Sequence, residues 1–112
     1  MPELSIEAQQ KVIELKKVYI NSFPNKIKQL ELCWKNIKSS LFSQSELEAL
    51  RVACHKIAGS SGSYELLEIS HAANELEQLC SFENLADPIK SNAELEIETN
   101  YQLLVRLMKK QL

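Results

Sequence analysis

His55 is the side chain of this sequence best placed to do chemistry, because the helix around it carries almost nothing to shield it. Ala58, Gly59 and Gly62 follow it at the positions one and two turns further along the same helical face. A neutral imidazole, with an ordinary pKa of about 6.5, offers a ring nitrogen as a nucleophile near pH 7, and a bare surface beside it admits a bulky electrophile. Stepping about 100° per residue from Ser45 to Tyr64 sets Glu48, Arg51, Ala58, Gly59 and Gly62 near His55. Leu50, Ala53, Ile57 and Tyr64 fall opposite, with Cys54 on the flank. The apolar stripe therefore faces a core and the histidine faces water. Each exposed helical glycine costs about 1 kcal/mol relative to alanine, so two on this face need a reason. One reason is close packing on a neighbouring helix, or a C-terminal stop at Gly62; the other is a reactive imidazole that must let a partner approach.

The chain that positions this histidine has 112 residues, 45% of them hydrophobic, enough for one compact domain spanning 1–112 but too few for a nucleotide-dependent catalytic domain as well. Any energy source comes from elsewhere. Thirteen basic and fifteen acidic residues, with no block of like charge, argue against nucleic acid or an anionic membrane as the main partner. Cys33, Cys54 and Cys80 are odd in number, widely spaced and set on or beside apolar stripes, which suits reduced core thiols in a cytoplasm. No secretory leader or membrane span is legible.

Helical periodicity runs almost throughout. Ile6, Ile13, Ile20, Ile27, Trp34 and Leu41 recur every seven residues, with Phe23, Leu30 and Ile37 between, predicting one apolar seam along an N-terminal arm and offering a surface for dimerisation. Pro24 interrupts the arm, which is either kinked there or divided into two helices with Ser22 as the new cap. Lys38 to Gln44 reads as a connection, and Ser45 with Glu48 as the capping box of the histidine helix. The Gly59–Ser63 run weakens that helix toward its end. Leu66, Ile69, Ala73, Leu76 and Cys80 predict a further helix from about Glu65 to Cys80. Phe82 to Lys90, with Asp87 and Pro88, is a break, after which Ser91 and Glu94 cap a last helix with the seam Ile97, Tyr101, Leu104 and Met108. The expected fold is all-α, an up-and-down antiparallel four-helix bundle with an N-terminal helical extension.

The run His55-Lys-Ile-Ala-Gly-Ser-Ser-Gly-Ser-Tyr64, followed by Ala73, Leu76 and Glu77, resembles the signature of the histidine phosphotransfer (HPt) domains of multistep phosphorelays. Relatives commonly carry a lysine where this chain has Ala58, and a glycine where it has Glu65. The first departure resembles the Ala-Gly-Ser variant of some bacterial members. The resemblance implies a phosphocarrier without its own kinase activity, in which His55 takes a phosphoryl group from a receiver-domain aspartate or a hybrid sensor histidine kinase relay and passes it to another receiver. It implies no cofactor on this chain, since the divalent metal of such relays belongs to the receiver. Arg51 and Lys56 are the candidates to meet phosphate oxygens or the receiver's acidic rim in place of the lysine absent at position 58, with Ala58, Gly59 and Gly62 forming the docking surface.

Other polar residues support weaker readings. His71, with Glu68 and Glu75 as neighbours, is a solvated histidine and not a second carrier. A zinc site from the cysteines and histidines lacks any local ligand spacing, and Ser60 and Ser61 serve helix-end packing as readily as phosphate contacts. No hydrolase triad or phosphate-binding glycine loop is present. The reading from a different class is a helical docking module that binds a receiver or kinase domain without accepting phosphate.

Overall fold

Apolar residues spaced three and four apart put one buried stripe on each of four helices. The computed structural model describes residues 5–81 and 93–112, which form α1 (Ile6–Asn21), α2 (Phe23–Ser39), α3 (Gln44–Ser63), α4 (Leu67–Leu79) and α5 (Ala93–Lys109), with no strand among them. The expected break at 82–90 and the Ser91 cap lie outside the described residues.

Phe23, Ile27, Leu30, Trp34 and Ile37 of α2 meet Leu47, Leu50, Cys54 and Ile57 of α3 in the core. Ile69, Ala72, Ala73 and Leu76 of α4 and Ile97, Tyr101, Leu104 and Met108 of α5 complete it. Helix contacts run α2 to α3, α3 to α4, α4 to α5 and back from α5 to α2, so the four close into a bundle. Trp34 stacks on Tyr101 with ring centroids 4.9 Å apart, joining α2 to α5.

The N-terminal arm divides into two helices. Pro24 has no N–H to continue the helical ladder, and Ser22 turns the chain within a single residue of helical dihedrals. Ser22 occupies the N-cap position of α2 without capping it; its hydroxyl instead donates back to the Tyr19 carbonyl. The predicted seam is buried only from Phe23 to Ile37. Ile6 and Ile13 are exposed because α1 buries no residue, and Leu41 is 87% exposed because it sits in a left-handed turn.

Helix ends also differ from the sequence expectation. α3 starts at Gln44 behind an extended Ser43, so Ser45 lies inside the first turn and Glu48 pairs with Arg51 instead of closing a capping box. Through the Gly/Ser run α3 continues to Ser63, one residue short of the Tyr64 to which the wheel extends. It then closes in a Schellman motif: the Leu66 N–H donates to the Ser61 carbonyl at 2.9 Å and the Glu65 N–H to that of Gly62 at 3.1 Å. This motif delays the start of α4 to Leu67 and forces Glu65 to φ 61°, a left-handed conformation that favours glycine. A glycine at this position would adopt the same backbone without strain. Glu65→Gly is expected to stabilise the fold by about 1 kcal/mol, read as a raised urea midpoint at unchanged slope.

Candidate functional site

His55 stands on the outer face of α3 with 73% of its side chain exposed. Its Nδ1 lies 2.9 Å from Oε1 of Glu77, which reaches across from α4 and is itself only 17% exposed. An ionised carboxylate only accepts hydrogen bonds, so His55 carries its proton on Nδ1 and donates it to Glu77. The lone pair is then on Nε2. A turn before the histidine, Arg51 grips Glu48 with two bonds of 2.6 and 2.8 Å and places its other terminal nitrogen 3.6 Å from Glu77. The guanidinium holds the Glu48 carboxyl below the usual carboxylate range. Glu48, Arg51 and Glu77 thus alternate in charge along the α3–α4 seam, which His55 joins through its bond to Glu77.

That seam is set by small residues. Ser70 of α4 donates its hydroxyl to the Ala58 carbonyl at 2.7 Å, and a Cβ on Gly62 would come within 3.3 Å of the same hydroxyl. Gly62 is therefore the packing glycine, turned toward α4. A Cβ on Gly59 would meet nothing within 4 Å, so Gly59 is the one that leaves the surface open. The two reasons weighed for these glycines divide between them. Beside His55 the helices leave a groove of about 540 Å³ lined by Ala58, Gly59, Leu67, Ser70, His71 and Glu77.

Lys56 is exposed on the other side of the histidine, along a second groove that Tyr19, Lys26 and Ser60 share. There the Tyr19 hydroxyl lies 2.6 Å from that of Ser60 and 3.0 Å from that of Ser61, which is fully buried. These two serines anchor α1 on the end of α3 and are not presented beside His55. His71 is exposed, 3.8 Å from Glu75.

Glu77, the hydrogen-bond partner of His55, is missing from the sequence assignment of site residues. It was visible only as part of the motif, because its partner lies 22 residues away on another helix. The cysteines are free; burial pushes the Cys54 thiol up strongly and that of Cys80 up to about 12, so both stay protonated and unreactive at neutral pH. Among the described residues no group of three His, Cys, Asp or Glu side chains is placed to share a metal ion, and no helix is long and apolar enough to cross a membrane.

An exposed imidazole with a hydrogen-bonded Nδ1 and a cleared approach can accept and release an electrophilic group. Comparison with known proteins gave no match among curated proteins or solved structures. The family model of the Hpt domain, however, matches residues 14–108, which takes in the last two turns of α1, all of α2 to α4 and nearly all of α5. With most of its length matched, and with a histidine presented on a helical bundle, this chain belongs to the Hpt domain family, the phosphocarriers of histidine phosphorelays.

Proposed function

We propose that His55 accepts a phosphoryl group from the aspartyl phosphate of a response-regulator receiver domain, or through the relay of a hybrid sensor histidine kinase, and delivers it to a second receiver aspartate. The observation that carries this reading is the exposed imidazole whose Nδ1 is held at 2.9 Å by a largely shielded carboxylate. In the forward step the Nε2 lone pair forms the N–P bond while the P–O bond to the aspartyl carboxylate breaks, the electron pair leaving with that carboxylate. Nδ1 keeps its proton, so the product is a phosphoimidazolium whose positive charge rests against Glu77. In the return step the acceptor carboxylate attacks phosphorus and the N–P bond breaks, with neutral imidazole as leaving group. Loss of the Nδ1 proton would make that leaving group an imidazolate, a much poorer one.

Charge on the phosphoryl oxygens is neutralised chiefly by a divalent metal on the receiver, so no ligand set is asked of this chain and no nucleic acid, membrane or small molecule takes part. Arg51 and Lys56 flank the histidine and face the receiver's acidic rim, partly replacing the lysine absent at Ala58. The three free thiols suit a cytoplasmic setting.

Gly59→Lys tests the docking surface. Nothing stands where the new Cβ goes and lysine is the better helix former, so the variant folds at least as well as wild type. Its long side chain fills the approach to His55, and phosphoryl transfer from a labelled receiver is expected to fall at least tenfold at unchanged helicity by circular dichroism. Transfer at the wild-type rate would remove the open surface from the mechanism.

A further inference from the structure

One oxygen of Glu77 faces two donors. The His55 Nδ1 lies 2.9 Å from Oε1, at hydrogen-bond distance, whereas the Arg51 Nη1 lies 3.6 Å from the same atom, too far for a bond. Charge alone predicts the reverse. A guanidinium is permanently cationic and its planar fork matches a carboxylate, and Glu77 is largely shielded from water, where an ion pair gains more than between exposed groups. A neutral imidazole should lose that oxygen to the arginine. What holds the arginine back is Glu48, three residues before it on the same face of α3. Its carboxylate accepts from Nε at 2.8 Å and from Nη2 at 2.6 Å, and this pair of bonds fixes the plane of the guanidinium as well as its distance. Only Nη1 is left to Glu77, at the longer distance.

We propose that Glu48 is a positioning residue for phosphoryl transfer: by gripping Arg51 it holds the guanidinium off Glu77, so that this carboxylate stays committed to the Nδ1 proton of His55. The role rests on the reading of His55 as the phosphoryl acceptor, and Glu48 acts in it only through Arg51 and Glu77. An arginine closed on Glu77 would damage the site in three ways. It would compete for the oxygen that Nδ1 uses, cancel the negative charge that faces the phosphoimidazolium, and bring a second cation toward it. The cost would fall on the charged state more than on the resting one, because only there does a full positive charge on the ring need Glu77.

Two measurements on the full chain need no receiver and so leave docking aside: nitrogen NMR of the neutral imidazole, and labelling by phosphoramidate, whose P–N bond breaks with ammonia leaving as the bond from Nε2 to phosphorus forms. Glu48→Ala keeps the fold, since position 48 is exposed and alanine is the better helix former. It is expected to turn the Nδ1–H tautomer of wild type into a mixture and to slow labelling roughly threefold, less than the outright loss of a charge-assisted bond would. Its crystal structure is expected to show Nη1 of Arg51 at hydrogen-bond distance from Glu77. Replacing the arginine as well, in a Glu48→Ala, Arg51→Gln double variant, should restore the Nδ1–H tautomer. A Glu48→Ala chain with the wild-type tautomer and labelling rate overturns the proposal. So does a mixture that persists in the double variant, because Glu48 would then act without the guanidinium. Loss of the tautomer in Arg51→Gln alone also overturns it, making the arginine a support of Glu77 instead of its competitor. A wild-type chain that gains no label overturns the proposed function and any role in transfer with it; a labelled wild type beside an unaltered Glu48→Ala overturns the role of Glu48 alone.

Discussion

A His55→Gln variant will fold, dock a phosphorylated receiver and remain unlabelled, whereas the wild-type chain will gain one phosphoryl group that is acid-labile and base-stable. The loss of label is expected to be complete. His71 is exposed too, but it stands on α4 a turn and more from the His55–Glu77 pair, and both Cys54 and Cys80 are buried thiols held protonated. Stability should change by no more than about 0.5 kcal/mol, because position 55 is an exposed helix site and glutamine is a good helix former. Its amide can donate to Glu77 in place of Nδ1. Intact mass and radiolabel transfer, with a thermal melt of each protein, separate the loss of the nucleophile from a loss of fold. Label on the variant would move the carrier away from His55; equal receiver binding without label on either protein would make the chain a docking module.

Glu77→Ala has the second largest expected effect: transfer slowed roughly ten- to hundredfold with receiver affinity retained. The figure follows from the hydrogen bond. A bond to a charged partner is worth about 1.5–3 kcal/mol, and each 1.4 kcal/mol realised in the transition state is a factor of ten in rate. The bond matters more in transfer than at rest, because the imidazole becomes cationic as the N–P bond forms. Glu77→Gln should fall between, since its side-chain oxygen still accepts from Nδ1 but carries no charge to face the cation. The imidazole nitrogen shifts in NMR report the cause directly. Wild type should show the Nδ1–H tautomer, and the alanine variant a mixture. A slow variant with an unchanged tautomer would assign the slowing to something other than orientation.

How far these features were legible follows from what spacing can encode. Residues three and four apart in sequence share a helix face wherever the chain is helical, so the stripes of α2 to α5 and the exposure of His55 could be read directly. Periodicity tells which side chains lie together but not whether anything covers them. Hence Ile6, Ile13 and Leu41 fit the heptad of Ile27 and Trp34 yet remain in solvent. The same limit hid the split between Gly59 and Gly62, neighbours on one wheel, of which only one meets α4. Glu77 belonged to a recognisable motif, but its bond to His55 is tertiary. Glu65 looked like a departure from the family and is a left-handed helix stop filled by a residue ill suited to it.

His55 and the carboxylate that holds its Nδ1 stand on different helices, kept in register by the Ser70–Ala58 bond and the small residue at Gly62. The preference for the Nδ1–H tautomer is accordingly a product of folding, and α3 as a separate peptide would hold a mixture of the two. A chain still emerging from the ribosome, or one being degraded, exposes the same imidazole without the proton pinned to Nδ1. On the proposed function, such a chain would take up phosphoryl groups more slowly than a folded one.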